Sequence, residues 1–208
     1  MPKFFFDLDG TIINSQERLY KLFCELCPEN RFSYTEYWEI KRTHCTQKDL
    51  LKRYFGYNET QIVNFNIKFK EMVEEEYRLA QDVPIYGVSD VLFYLHQKYR
   101  LFIVTNRQNR HLTIQQISRL GWFSLFEKIL VTEQKISKED LILNNITTSS
   151  NDWMVSDTGE DIKTAKKLGI KSIAVTWGIL NKNVLEGYSP DLLIDDVNEL
   201  KNIRFNEC

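Results

Sequence analysis

The sequence predicts an α/β protein, in which a doubly wound parallel sheet carries a smaller α-helical domain. Short apolar segments alternate with segments of helical periodicity from residue 83 onward, and one such apolar segment stands apart at residues 4–6. Strands that are buried on both faces and joined by helices are typical of parallel sheets. We therefore predict a core made of residues 1–15 and 83–208, with residues 16–82 inserted after the first strand.

The inserted stretch has scarcely any strand signal and is predicted to form roughly four helices. Apolar residues recur at helical spacing around positions 19–26, 50–55 and 62–73, and Pro28 and Gly56 interrupt the pattern. These helices are expected to pack into a bundle of their own. Because the insertion follows the first strand, it should lie above the strand ends as a lid.

The second part of the core is predicted to contain five more strands, at 101–104, 128–131, 153–155, 172–175 and 192–194. Amphipathic helices lie between them, including one from about 110 to 120 that Gly121 would end. Another helix should begin after Ser137, which resembles a helix cap together with Asp140. The residues after the last strand are read as a polar tail.

Composition indicates a cytoplasmic globular protein. The chain has 208 residues, 43% hydrophobic and 27% charged, and its net charge of −2 gives no general attraction to nucleic acid or to anionic membranes. No apolar run approaches transmembrane length, and the N-terminal run is too short for a signal peptide. The cysteines (Cys24, Cys27, Cys45 and Cys208) are too few and too uneven for a disulfide framework. We expect a monomer or a homodimer.

Two carboxylates stand directly after the first strand, at Asp7 and Asp9. Residues two apart in an extended chain lie on the same side, so these carboxylates should crowd together at the carboxyl end of the strand. Their repulsion calls for a bound cation or a retained proton. The alternative is a strand that leaves the core through a polar Asp-Gly turn.

Polar residues also follow the later strands. Parallel strands end at one edge of the sheet, so these residues should meet Asp7 there. Acidic oxygens suit a hard divalent cation, and hydroxyl and ammonium groups suit a phosphoryl group. The residues in question are Thr105 and Asn106, Lys135 and Lys138, and Asp157 and Asp161.

These motifs resemble those of the haloacid dehalogenase (HAD) superfamily. Residues 7–11 match its DxDGT signature, Thr105-Asn106 its second motif, and Asp157 with Asp161 its fourth. Segments at 83–88, 176–178 and 190–191 are similar to the phosphoglycolate phosphatase-like branch, which carries a helical cap in the same place. The resemblance implies a Mg²⁺-dependent phosphatase that acts on a small phosphorylated metabolite. Neither nucleic acid nor membrane is implied as a partner.

The resemblance also implies a role for each residue. Asp7 would attack phosphorus and form an aspartyl phosphate, and Asp9 would act as the general acid and base. Mg²⁺ would bind the Asp7 carboxylate, the Asp9 main-chain carbonyl and Asp157. Thr105 and the Asn106 amide would hold phosphoryl oxygens.

The third motif is the weakest match, because its usual Lys-Pro is replaced by a stretch that offers both Lys135 and Lys138. Lys138 is slightly favoured as the lysine that neutralises the transition state. Asp161 would orient that lysine or the metal shell. Ser156 stands where the family usually has glycine, before Asp157. Arg42 is the candidate substrate-binding residue of the inserted stretch.

Three alternatives remain at this point. Thr105-Asn106 could be an ordinary turn. A sugar-phosphate mutase would use the same core and keep the phosphoryl group. A binding or regulatory protein could retain the fold without activity, although the intact Asp7, Asp9, Thr105 and Asp157 argue against this.

Overall fold

The predicted parallel sheet is present. The computed structural model describes residues 1–203, so Cys208 lies outside the described residues. The six-stranded sheet has the order β5-β4-β1-β6-β7-β8, and every pairing in it is parallel. Its strands are β1 (Lys3–Phe6), β4 (Arg100–Thr105), β5 (Lys128–Val131), β6 (Trp153–Ser156), β7 (Lys171–Val175) and β8 (Leu192–Ile194).

Strand β1 lies in the middle of the sheet, where its three phenylalanines are fully buried. Phe4 and Phe6 belong to the core on one face, and Phe5 packs with Phe102 in the core on the other. This alternation follows from the two-residue period of a strand. A strand with apolar side chains on both faces needs helices above and below it, which explains the layered architecture.

Helices cover both faces of the sheet. Helices α6 (Val88–His96) and α7 (Arg110–Arg119) pack on the face of Phe4, and α8 (Lys138–Leu143) and α9 (Gly159–Lys167) on the face of Phe5. Helix α10 (Lys182–Glu186) packs beside β7 and β8. A 3₁₀ helix spans Phe123–Leu125.

The inserted helices lie between two short strands, β2 (Ile13–Asn14) and β3 (Val83–Pro84), which pair antiparallel. Two residues are too few to show a periodic pattern, so the sequence did not predict this pairing. The inserted helices are α1 (Gln16–Leu26), α2 (Tyr34–Lys41), α3 (Gln47–Phe55), α4 (Glu59–Met72) and the short α5 (Glu76–Leu79). They enclose a separate aromatic-rich core that includes Phe23, Tyr37, Trp38 and Phe65.

The prediction of a polar tail after β8 was wrong. A 3₁₀ helix spans Val197–Asn202, and the side chains of Val197 and Leu200 are buried against the sheet core. Two apolar residues three apart are too weak a signal to stand out in a polar stretch. No helix among residues 1–203 is both long and apolar enough to cross a membrane.

Candidate active site

A cavity of about 220 Å³ opens at the carboxyl ends of the strands. The core contributes Asp7, Asp9, Thr105, Asn106 and Lys138 to its wall. The inserted helices and the loop after α4 contribute Leu19, Val73 and Glu74. The cavity therefore lies between the two parts of the chain, and most of the predicted site residues face it.

Asp7 is bound to Lys138, which comes from the first residue of α8. The Lys138 Nζ lies 2.8 Å from Asp7 Oδ1 and 2.8 Å from Asp161 Oδ2, and all three side chains are buried. Burial alone would disfavour the ammonium, but the two carboxylates hold the pKa of Lys138 above its usual value. Lys138 is therefore a fixed positive charge beside the Asp7 carboxylate.

Ser156 gives the fourth motif a contact that glycine would lack. Its hydroxyl donates to Asp161 Oδ2 at 2.6 Å and accepts from the Thr158 backbone N–H at 3.1 Å. Asp161 thus receives both the serine hydroxyl and the Lys138 ammonium on one oxygen. The side chain at 156 helps to orient the carboxylate that holds the lysine.

Asp157 is buried close to Asp7. Its Oδ1 accepts from the Thr11 hydroxyl at 3.1 Å, and its Oδ2 accepts from the Ile179 backbone N–H at 2.7 Å. Burial and the charge of Asp7 raise the pKa of Asp157 to about 7. Burial also raises the pKa of Asp7 to about 6, although Lys138 opposes that rise. The positive charge close to these two carboxylates is therefore too small to keep both of them ionised in their buried positions.

Two glycines make room for Asp157. A Cβ on Gly10 would lie 2.1 Å from Asp157 Oδ2, and a Cβ on Gly178 would lie 2.2 Å from the Asp157 Cβ. Gly10 also has a φ of +80°, in the left-handed region that favours glycine. The turn after β1 and the loop after β7 are thus shaped around this carboxylate.

The pair of Asp7 and Asp157 fits a hard divalent cation. Two buried carboxylates whose pKa values are raised by burial, and for Asp157 also by the neighbouring charge of Asp7, are ordinarily satisfied by such an ion. Within residues 1–203 no three side chains of His, Cys, Asp or Glu form a metal-binding group. The ligand set implied by the motifs needs only these two carboxylates together with the Asp9 main-chain carbonyl.

Asp9 lines the cavity and forms ion pairs with two guanidinium groups. Arg107 binds it with Nε 2.7 Å from Oδ2 and Nη2 2.9 Å from Oδ1, and Arg18 Nη2 lies 2.6 Å from Oδ1. Although burial opposes it, the charges of Arg107 and then Arg18 hold the pKa of Asp9 well below its usual range. Asp9 is a carboxylate in this arrangement.

Thr105 and Asn106 lie where β4 ends, and both line the cavity. The Thr105 side chain is buried, and its hydroxyl oxygen accepts from the Arg107 backbone N–H at 3.4 Å. Asn106 is exposed, and its Oδ1 accepts from the Thr132 hydroxyl at 3.3 Å. A hydroxyl and a side-chain amide thus line the same cavity as Asp7.

The structure separates the two candidate lysines. Lys138 contacts Asp7, whereas the Lys135 side chain is 72% exposed and pairs with Glu133 at 3.5 Å. Arg42 is not among the residues that line the cavity. Its guanidinium donates to the Thr176 carbonyl, and its own carbonyl accepts from the Asn181 backbone N–H at 3.0 Å. Arg42 joins the inserted helices to the core.

The sequence did not point to Arg18, Glu74 or Asp82. Arg18 is buried one turn before Leu22, on the apolar face of α1, and a charge at such a position needs a buried partner. That partner is Asp82, which is 64 residues away in the chain. Glu74 stands in the charge-rich stretch of residues 71–76, and its carboxylate accepts from the Gln108 and Asn109 backbone N–H groups.

The fold and the motifs together define the class of protein to which this chain belongs. A model of the haloacid dehalogenase-like hydrolase family matches residues 4–175, and the chain belongs to that family. The predicted family and fold class are thereby confirmed. The assignment is to a family of hydrolases.

The chain is 26% identical to a phosphoglycolate phosphatase of Agrobacterium fabrum, over 94% of this chain and 88% of that protein. It is 23% identical to pyrophosphatase PpaX of Bacillus mycoides, over 94% and 93%. Among solved structures, a HAD-like hydrolase of Streptococcus pneumoniae has a TM-score of 0.77 at 20% identity and 96% coverage of both chains. YfnB of Bacillus subtilis, described as bound to magnesium, has a TM-score of 0.65 at 18% identity and 97% coverage of both.

Proposed function

We propose that this chain is a Mg²⁺-dependent phosphatase that hydrolyses a small organic phosphate monoester through an aspartyl phosphate on Asp7. The observation that carries the proposal is the position of Asp7. Its carboxylate faces the cavity, Lys138 lies 2.8 Å from it, and Thr105 and Asn106 line the same wall. A nucleophile, a fixed cation and two groups able to bind phosphoryl oxygens thus converge on one space.

In the first step a carboxylate oxygen of Asp7 attacks phosphorus, a new O–P bond forms and the bond to the leaving oxygen breaks. Asp9 donates a proton to the leaving oxygen, so the product is a neutral alcohol. Asp9 is ionised before substrate binds, but a phosphoryl dianion beside it raises its pKa and favours uptake of the proton. Asp9 then accepts a proton from the water that attacks the intermediate, which releases phosphate and restores Asp7.

Asp7, Asp157 and the Asp9 main-chain carbonyl would hold Mg²⁺, which supplies positive charge to offset the repulsion between the Asp7 carboxylate and a phosphate dianion. Lys138 carries the second positive charge, and Asp161 keeps its ammonium directed at Asp7. Thr105 and Asn106 orient the phosphoryl oxygens for attack.

The inserted helices act as a cap in this proposal. Leu19, Val73 and Glu74 line the same cavity as Asp7, so they limit the substrate to a small molecule and shield the reaction from bulk solvent. The names of the relatives make phosphoglycolate and inorganic pyrophosphate the first compounds to assay.

The test is phosphate release from p-nitrophenyl phosphate, phosphoglycolate and pyrophosphate with Mg²⁺. Asp7→Asn is expected to lower turnover at least about 10³-fold, because an amide cannot form the covalent intermediate. Asp90→Asn, an exposed aspartate of α6, is the matched control and should retain wild-type turnover. Full turnover by Asp7→Asn would refute the mechanism. In a parallel assay with a sugar phosphate, an isomerised sugar phosphate in place of free phosphate would indicate a mutase.

A further inference from the structure

A buried cluster of two arginines and two aspartates joins the inserted helices to the catalytic edge of the sheet. Arg18 lies in the first turn of α1, and Asp82 directly precedes β3. Asp9 and Arg107 follow β1 and β4. The arginine side chains are 3% exposed and that of Asp82 is fully buried. Two positive and two negative charges are thus balanced inside the protein.

The two oxygens of Asp9 have different surroundings. Oδ1 accepts from Arg18 Nη2 at 2.6 Å and from Arg107 Nη2 at 2.9 Å, whereas Oδ2 accepts from Arg107 Nε at 2.7 Å. A carboxylate oxygen has two lone pairs, and the two guanidinium groups occupy both of them on Oδ1. Of these three hydrogen bonds Oδ2 accepts one, so it has fewer guanidinium contacts than Oδ1 and is the oxygen left to exchange a proton.

The guanidinium of Arg18 donates hydrogen bonds to three different residues. Besides Asp9, its Nε donates to Asp82 Oδ1 at 2.8 Å and its Nη1 donates to the Val73 carbonyl at 2.8 Å. Asp82 Oδ2 in turn accepts from Arg107 Nη2 at 3.2 Å and from Gln116 Nε2 at 3.1 Å. The guanidinium plane of Arg18 is therefore fixed, and no single rotation of its side chain would keep these contacts.

We infer that Arg18 is a positioning residue for Asp9: it occupies Oδ1 and leaves Oδ2 to exchange the proton with the leaving oxygen. The inference rests on the proposed function, because it requires Asp9 to be the acid. Without Arg18, Arg107 alone would contact the two oxygens equally, so the proton could reside on Oδ1, away from the leaving oxygen, as well as on Oδ2. Since α1 carries Arg18, the orientation of a core carboxylate depends on how the inserted helices dock.

The experiment compares p-nitrophenyl phosphate with phenyl phosphate, which have the same ring but a good and a poor leaving group. Positioned acid catalysis contributes on the order of 10²–10⁴-fold, and it matters most where the leaving oxygen needs the proton. Arg18→Met should therefore lower kcat about 10-fold or more for phenyl phosphate and less than about 3-fold for p-nitrophenyl phosphate. KM should change little for either substrate.

Two further variants make the test specific. Arg78→Met removes another buried arginine of the inserted helices, one paired with Glu25 and Glu75, and should leave both kcat values unchanged. Arg18→Lys keeps the charge but cannot reach Asp9 and Asp82 together. It should show the same preference for p-nitrophenyl phosphate with a smaller loss, and it replaces Arg18→Met if thermal unfolding shows that variant to be unfolded.

Equal losses of kcat on the two substrates, or no loss on either, would overturn the role of Arg18 and leave the phosphatase proposal intact. Absence of turnover of these two substrates, of phosphoglycolate and of pyrophosphate by the wild-type protein would refute the phosphatase proposal, and the role of Arg18 with it. A loss confined to phenyl phosphate supports the inference.

Discussion

Asp7, Lys138 and Asp161 form a buried row of alternating charges, in which the Lys138 ammonium donates to both carboxylates. Lys138 bridges the two carboxylates at 2.8 Å on each side, and the Ser156 hydroxyl adds a neutral donor to Asp161. Buried ion pairs are costly to break, because removal of one member leaves an uncompensated charge. The contacts that orient Asp7, the proposed nucleophile, are therefore the same contacts that stabilise its surroundings.

Replacement of Lys138 tests this arrangement directly. Lys138→Met should lower kcat for p-nitrophenyl phosphate by about 10²–10³-fold, because the positive charge beside the transferring phosphoryl group is lost. It should also lower the free energy of unfolding by about 3–5 kcal/mol, since Asp7 and Asp161 remain buried without their partner. Kinetic assays and urea unfolding measure the two effects.

Lys135→Met is the matched control, because Lys135 is exposed and lies in the same loop. It should have wild-type activity and stability. The reverse result, with activity lost at position 135 and kept at 138, would show that the other lysine serves the third motif.

At the scale of elements, the site is built by the turns that follow the strands. The turn after β1 brings Gly10 against Asp157, and the loop after β7 brings Gly178 and the Ile179 N–H to the same carboxylate. Two segments far apart in sequence thus shape the surroundings of Asp157, the proposed metal ligand. The short pair of β2 and β3 holds the inserted helices next to these turns.

Comparison of Gly10→Ala with Gly121→Ala separates the effect of backbone strain from the effect of contact with Asp157. Alanine at a φ of +80° costs about 1–2 kcal/mol wherever it occurs, but at position 10 its Cβ also meets the Asp157 carboxylate. We expect Gly10→Ala to lose stability and most Mg²⁺-dependent activity. Enzyme assays across a Mg²⁺ titration and thermal unfolding provide the measurements.

Gly121→Ala is the control, because Gly121 has a φ of +76° and a Cβ there meets nothing within 4 Å. This variant should lose a similar amount of stability from backbone strain and keep its activity. Equal activity in the two variants would contradict the close packing between the β1 turn and Asp157.

At the scale of the whole molecule, the raised pKa values of two carboxyl groups should make the free energy of unfolding depend on pH and on Mg²⁺. The pKa values of Asp7 and Asp157 are about 6 and about 7 in the folded protein, against an ordinary 3.8. The folded protein therefore holds more protons than the unfolded chain between about pH 4 and pH 7. The contribution of these two groups to stability falls as the pH rises through that window.

Mg²⁺ should reverse this loss, because a cation offsets the repulsion between the two carboxylates. The rise in Tm on addition of Mg²⁺ is expected to be larger at pH 8 than at pH 5. At 100 times the dissociation constant binding contributes about 2.7 kcal/mol, or roughly 5–10 °C in a chain of this length. Differential scanning fluorimetry with Mg²⁺ or with EDTA makes the measurement.

Asp157→Asn removes one of the two carboxylates and should abolish most of the Mg²⁺-dependent shift at pH 8. A Tm that responds to Mg²⁺ equally in this variant and in the wild type would place the cation elsewhere.

The sequence by itself determined the six strands of the parallel sheet and the residues at their carboxyl ends. Each of these is a local signal: Phe4, Phe5 and Phe6 mark a strand buried on both faces, and Asp7 must follow it. Parallel topology then sends every strand end to one edge, so Asp7, Thr105 and Asp157 could be predicted to converge without knowledge of their distances.

Tertiary structure alone decided which long side chains reach the site. Lys138 and Lys135 are three residues apart, and only packing of α8 turns one toward Asp7 and the other toward solvent. The pairing of Arg18 with Asp82 and Asp9 joins residues 64 and 9 positions apart, and no local pattern encodes it. Local periodicity specifies elements, whereas the partner of a buried charge depends on how separate elements pack.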